Sequence, residues 1–307
     1  MSTSQRGVVL RGTGGVWHIR SEQGEVHEGS LPGRVKKDAA MKLAVGDEVR
    51  IERDEHDRAW TVAEILPRRS RLARRAPGGA YGERVVAANI DQVVVVFAAA
   101  EPEPHPRMLD RFLVIAAANE IPARIVVNKS DLRDAAELRA RFGEYERVGY
   151  PVHYTSVTKR EGLDALRNAL AGRVSALTGP SGVGKSSLLN AIYPGLKLRV
   201  GEISRSVLKG RHTTVGAEMH PLPDGGYVMD TPGLREVGVW GIAPDELDRC
   251  FIEFRPYIDV CRFGDCRHRV EPDCAVRAAV ERGDISPARY ESYVRLQDEL
   301  EQTARPW

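Results

Sequence analysis

Eight consecutive residues, Gly179-Pro180-Ser181-Gly182-Val183-Gly184-Lys185-Ser186, have the types and spacing that cradle phosphate. They fit G-x-x-x-x-G-K-[ST], in which glycines let the backbone turn until successive N–H groups point at phosphate oxygens. Lys185 would set a point charge on the β- and γ-phosphates, the Ser186 hydroxyl would face Mg²⁺, and Ser187 would extend the nucleotide-binding loop. The apolar run 174–178 predicts a short buried strand, and 187–192 a helix whose positive N-terminus faces the phosphates. Strand, glycine loop and helix in that order is the context this motif needs.

A second constellation reads a base. Asn128-Lys129-Ser130-Asp131 follows a predicted strand and fits N-K-x-D. Asp131 can accept from guanine N1–H and the 2-amino group together; adenine lacks both donors and would leave the carboxylate unpaired. Asn128 would tie the loop together near the N7/O6 edge, and the Lys129 stem would cover one face of the ring. Thr155 and Ser156, after the next strand, lie where a backbone N–H meets O6. Asp230-Thr231-Pro232-Gly233 fits D-x-x-G: Asp230 would hold Mg²⁺ through water and the Gly233 N–H would meet the γ-phosphate. Between them, Arg211-His212-Thr213-Thr214 lies in a basic, glycine-punctuated segment, where Thr213 or Thr214 would complete the Mg²⁺ shell. Such a segment is ordered by γ-phosphate and released on hydrolysis. Asn128 and Asp131 disfavour an ATPase or kinase.

A third set would hold a metal. Cys261, Cys266, His268 and Cys274 supply three thiolates and an imidazole within fourteen residues. That is a closed tetrahedral set for one structural Zn²⁺. Few hydrophobics surround it (Val260, Phe263, Val270), so this loop needs its metal to fold. Cys250 lies outside the spacing and reads as a core residue. Arg262, Arg267 and Arg269 interleave the ligands and could touch RNA.

These sites need a multidomain scaffold. At 307 residues, with 42% hydrophobic and 29% charged residues and a net charge of +2, the chain has ordinary globular composition and room for about two or three domains. No apolar run reaches the ~18 residues that span a bilayer, and the first residues lack the apolar core of a signal peptide. The expectation is a cytoplasmic protein without membrane contact. Four or five short strands separated by turn signals predict a small β-barrel of the SH3 or OB kind over residues 1–70. The barrel would bind nucleic acid through Arg34, Lys36, Lys37 and Lys42, or else serve as a spacer. Residues 71–84 read as a basic linker, part of an arginine-rich stretch from Pro67 suited to phosphate-backbone contact. Residues 85–244 alternate strands and helices, which predicts a parallel α/β sheet with right-handed crossovers. Residues 245–307 read as a helical, zinc-binding unit.

The motif order is permuted. N-K-x-D at 128 precedes the phosphate loop at 179, and D-x-x-G follows at 230, whereas Ras-like GTPases place the phosphate loop first. Binding depends on where strands lie in the sheet, so a circular permutation keeps the site while tying the C-terminal unit to the segment that senses γ-phosphate. Barrel, permuted GTPase motifs and terminal Cys/His cluster together resemble the RsgA (YjeQ/EngC) family of bacterial GTPases that depend on the small ribosomal subunit. The resemblance covers essentially the whole chain. It implies an OB-fold, hydrolysis of GTP to GDP and phosphate stimulated by the 30S subunit, contact with 16S rRNA, and a role in late subunit assembly. Ras-type enzymes orient the attacking water with a glutamine directly after D-x-x-G, where this chain has Leu234. The resemblance makes His212 the candidate for that task; the other reading of His212 is a contact to partner RNA or solvent. A GTPase of the large subunit, or an RNA chaperone using GTP as a slow timer, are the alternatives. Nothing demands more than a monomer.

Overall fold

A computed structural model describes residues 4–31, 42–53, 59–75, 83–198, 217–230 and 242–304. Five strands form a closed N-terminal barrel: β1 (Ser4–Thr13), β2 (Val16–Ser21), β3 (Val26–Ser30), β4 (Glu48–Arg53) and β5 (Trp60–Ile65). Their order is β1-β2-β3-β5-β4, closed by β1 against β4, with β3 and β5 parallel. This is the five-stranded OB arrangement. Alternate residues Val49 and Ile51, with Val9, Ile19, Val62 and Ile65, fill its interior.

The described residues at both ends of the stretch expected as a basic linker lie in paired strands. β6 (Arg71–Arg75) pairs antiparallel with β7 (Glu83–Ala88), and Leu72 and Ala87 are buried in the core of the following unit. The adjacent pairs Leu72-Ala73 and Ala87-Ala88 supply the buried surface that the charge count obscured. Two of the arginines are structural as well. Arg68 holds the fully buried Asp47 through Nε and Nη2 at 2.6 and 2.8 Å, and Arg69 holds Asp91 at 2.9 Å.

The central sheet has six strands in the order β10-β9-β8-β11-β13-β12. They are β8 (Gln92–Ala98), β9 (Ala123–Asn128), β10 (Val152–Thr155), β11 (Arg173–Thr178), β12 (Glu218–Pro221) and β13 (Gly226–Asp230), parallel except for the edge strand β12. β8 is buried at every position because helices cover both faces. Val93, Val95 and Phe97 face α1 (Pro106–Ala118) and α2 (Ala135–Val148); Val94, Val96 and Ala98 face α3 (Leu163–Leu170) and α4 (Lys185–Ile192). On α1 Met108 is exposed, whereas Val114 is buried against the C-terminal unit. That unit comprises α5 (Arg255–Ile258), α6 (Ala275–Arg282) and α7 (Pro287–Ala304), packed around Phe251, Phe254, Tyr293 and Leu296.

Candidate functional site

Parallel pairing of β9, β8, β11 and β13 brings their carboxyl ends to one edge, so Asn128, Gly179 and the backbone of Asp230 line up there despite their separation in sequence. Open α/β sheets bind ligands at this edge. The base-reading and phosphate loops are joined directly. Asn128 is 2% exposed, its Nδ2 donates to Val183 O at 2.9 Å, and its Oδ1 accepts from Thr155 Oγ1 at 3.1 Å.

The phosphate loop can form only with glycine at two positions. Gly179 has φ +135°, and an added Cβ would lie 2.0 Å from Val96 O; at Gly184, φ is +90° and a Cβ would meet Asn128 Nδ2 at 2.6 Å. The loop therefore packs hard against β8 on one side and the base loop on the other. Lys185 is buried, and its Nζ donates to Gly179 O at 3.0 Å and Pro180 O at 2.7 Å, which holds the ammonium over the loop. Ser186 is buried at the first turn of α4, Ser187 is half-buried beside it, and Ser181 and Gly182 are exposed at the tip. Val183 is fully buried and anchors the loop from below, while Pro180 is half-buried.

Asp131 lies at the surface in a short 3₁₀ turn, 130–132, entered through Lys129 in the left-handed region at φ +56°. Its two carboxylate oxygens are held by different hydroxyls: Ser156 Oγ donates to Oδ1 at 2.5 Å and Thr158 Oγ1 to Oδ2 at 3.0 Å. The Ser156 bond, helped by Thr158 and opposed by burial, holds the Asp131 carboxyl below its ordinary range. An aimed, ionised carboxylate results. Lys129 Nζ donates to Glu101 O, so the stem is pinned beside the base loop, and Ser130 is half-buried. Ser156 thus acts on Asp131 through its side chain, while its backbone N–H, expected from sequence to meet the base, donates to Glu161 O. Thr158 has no motif to mark it; a hydroxyl three residues past a strand end carries no signal of its own. His212, Thr213, Thr214, Gly233 and Leu234, and the side chain of Asp230, lie outside the described residues.

The metal-type cluster is assembled. One donor atom from each of Cys261, Cys266, His268 and Cys274 lies within 4.8 Å of the others. Cys261 and Cys274 Sγ are 4.0 Å apart, and His268 Nδ1 lies 3.5 and 3.4 Å from them. A tetrahedral ion with metal–sulfur bonds of about 2.3 Å and metal–nitrogen bonds of about 2.0 Å sets edges of roughly 3.8 and 3.5 Å, so the donors fit such an ion. Burial pushes the Cys266 thiol up to about 12, and a divalent cation would reverse that by favouring thiolate. Behind the ring, His268 Nε2 meets Asp248 Oδ2 at 3.2 Å, while Tyr290 Oη donates to His268 O at 2.6 Å. Asp248, twenty residues upstream of the histidine, was invisible as an orienting partner in sequence. The three interleaved arginines are each paired, Arg262 with Asp273, Arg267 with Glu301 and Arg269 with Asp298, which weakens the case for their contact with RNA.

Comparison with known proteins follows the same geometry. The family model described as RsgA GTPase matches residues 65–240. The chain belongs to the RsgA GTPase family. It is 61% identical over 303 residues, 98% of this chain and 99% of the other, to the small ribosomal subunit biogenesis GTPase RsgA of Gemmatimonas aurantiaca. The protein of the same name from Bacteroides fragilis is 37% identical over 97% of both chains. Among solved structures, YjeQ from Thermotoga maritima superimposes with a TM-score of 0.81 at 35% identity, covering 99% of this chain and 100% of that one. YloQ, a circularly permuted GTPase, gives 0.78 at 29% identity, covering 99% and 98%. The RsgA-family fold, with barrel, permuted GTPase unit and Cys₃His helical unit, is thus shared along the whole chain, and this family member is a GTP hydrolase. Among the described residues, no helix is long and apolar enough to cross a membrane.

Proposed function

We propose that this GTPase binds the small (30S) ribosomal subunit, contacts 16S rRNA, and hydrolyses GTP to GDP and phosphate in the late assembly of that subunit. The observation that carries the reading is the Asn128–Val183 bond, which fuses a guanine-type loop to a phosphate loop. It occurs in a chain 61% identical, end to end, to a relative named for small-subunit biogenesis.

In this reading Asp131 accepts from guanine N1–H and the 2-amino group, Asn128 braces the loop, and Lys129 covers the ring. Ser130, Thr155 and Ser156 complete the base pocket. The segment from Gly179 to Ser187 wraps the phosphates, with Lys185 neutralising charge as it builds on the β–γ bridge. Ser186, one of Thr213 and Thr214, and Asp230 hold Mg²⁺, and the Gly233 N–H senses the γ-phosphate. Leu234 cannot orient water, so His212 takes that role once the subunit has fixed its segment. Intrinsic turnover is then slow and docking accelerates it. Cys261, Cys266, His268 and Cys274 hold one structural Zn²⁺, which supplies the cross-link that a small, hydrophobic-poor loop lacks. We assign residues 1–70 to the barrel, 71–84 to a basic linker whose described ends are paired strands, 85–244 to the GTPase unit and 245–307 to the zinc unit, in a cytoplasmic monomer.

Steady-state GTP hydrolysis by the protein alone, with small subunits and with large subunits tests this. A large increase with small subunits only is expected. Equal stimulation by both, or none by either, would overturn the assignment of the partner.

A further inference from the structure

At the edge of the central sheet opposite the nucleotide loops, four side chains stand on one face of neighbouring strands: His153 of β10, Arg124 of β9, Gln92 of β8 and Arg173 of β11. Arg124 Nε and Arg173 Nη1 both donate to the same oxygen, Gln92 Oε1, at 3.2 and 3.4 Å. Arg124 Nη1 also lies 2.6 Å from His153 Nε2. The Gln92 amide is fixed from behind, because its Nε2 donates to Ala169 O at 2.8 Å and lies 2.9 Å from Ser175 Oγ. Its oxygen is therefore aimed at two guanidinium groups that it cannot neutralise.

Among the described residues no carboxylate forms an ion pair with Arg124 or Arg173, although arginines nearby such as Arg69 and Arg167 each have one. The neighbouring acids are committed elsewhere. Asp91 takes Arg69 at 2.9 Å and the Val174 N–H at 2.8 Å, and Asp224 takes Arg167 at 2.6 and 2.8 Å. The strain registers on the groups themselves. Burial, then the Arg173 charge, lowers Arg124 from its ordinary value, and burial, then Arg124, lowers His153. A neutral His153 can accept from Arg124, leaving two like charges on one neutral acceptor.

We propose that Arg124 and Arg173 form a phosphodiester-binding site that grips ribosomal RNA at the sheet edge away from GTP. An anion satisfies both guanidinium groups, whose planar donors suit phosphate oxygens. The site is separate from the GTP pocket: Arg124 is four residues from Asn128 along an extended strand, about 13 Å. Arg173 is exposed and Arg124 half-buried, so the site opens onto the surface, where a backbone can pass over it. An acidic protein surface is the competing occupant. Binding of a protein to RNA weakens with salt in proportion to the phosphates it contacts, which gives the test its readout.

The inference rests on the small-subunit reading above, and the experiment separates the two. Binding of the full-length protein to purified small subunits and to protein-free 16S rRNA is measured across a salt series for wild type, Arg173→Gln and the double variant Arg124→Gln/Arg173→Gln. Turnover without subunits and circular dichroism report whether each variant is folded. The double variant is expected to bind both probes about tenfold more weakly near 0.1 M salt, with a log–log salt slope shallower by about two, and the single variant by about one. If wild type does not bind small subunits, the small-subunit reading fails. If wild type binds and the variants keep its slope, this proposal fails. A loss on subunits without a loss on naked rRNA also overturns it, in favour of an acidic protein.

Discussion

Asp131 is exposed, yet two hydroxyls fix both of its oxygens. The pre-aimed carboxylate can pair with both guanine donors without first paying the entropy of choosing a rotamer. Asp131→Asn is expected to weaken GTP binding by more than about a hundredfold, or ~3 kcal/mol, because it loses charge and one accepting oxygen. It should also abolish the preference for GTP over inosine triphosphate, which lacks the 2-amino group. Competition titrations with fluorescent nucleotide measure both, and a retained preference would remove Asp131 from the base site. Gly179 bears a different constraint. Its φ of +135° and the 2.0 Å approach of a Cβ to Val96 O leave no room for alanine, and Val96 O belongs to a rigid central strand. Gly179→Ala should abolish nucleotide binding while the barrel and zinc units stay folded; wild-type affinity in that variant would show that the loop has another conformation.

At the scale of elements, the zinc-type loop is held by groups from three directions. Its ligands come from the turn before α6 and from Cys274 at the α6 N-cap, and α7 supplies Tyr290 and Tyr293, which bond to the carbonyls of His268 and Arg267. Asp248, from the 3₁₀ turn 248–250, fixes the far side of the imidazole. With Nε2 engaged there, Nδ1 is the nitrogen turned toward the sulfurs. Orienting partners of this kind tune ligand geometry and basicity. Asp248→Ala should lower metal affinity by about 10- to 100-fold in competition against a chromophoric chelator. Equal affinity in the variant would assign Asp248 to packing alone.

Across the whole molecule, the C-terminal unit is fastened to the GTPase unit through α1 as well as through the chain that follows D-x-x-G. Arg289 of α7 is 1% exposed and donates to Asp110 of α1 at 2.6 Å and to Glu253 at 2.6 and 3.1 Å. Tyr145 Oη and Ser292 Oγ complete Asp110, and the guanidinium lies 4.7 Å from the Phe251 ring. Every charge in this seam is met by an opposite charge or a hydrogen bond, and removing the cation would strand two buried carboxylates. Arg289→Leu should therefore cost about 3–5 kcal/mol and split unfolding into separate transitions for the two units in denaturant titrations. A single transition at the wild-type midpoint would show that the seam does not couple them. The barrel is joined on the other side, where Asn89 Nδ2 donates to Gly46 O at 2.9 Å and Arg11 pairs with Glu218 on β12. Since β12 and β13 lie between the segments containing Thr213 and Gly233, the barrel touches the hairpin that links those two parts of the site.

Much of this molecule is local, and what is local was written in the sequence. The phosphate loop, N-K-x-D and the Cys₃His spacing are short motifs whose chemistry needs fixed residue types at fixed offsets. The strands and helices of the central sheet follow from runs such as 93–97, because burial on one or two faces imposes a period that neighbouring residues display. The paired strands 71–75 and 83–88 were hidden because their apolar positions are few and arginines dominate the count, although two arginines of the same stretch serve as internal ion-pair partners. What only the tertiary structure decided is which distant groups meet. Strand order places Asn128 against Val183, and helix packing brings Asp110 to Arg289 across 179 positions. A turn twenty residues away delivers Asp248 to His268. A side chain's type states what it can bond to, but its partner is set by long-range strand pairing and the packing of helix faces.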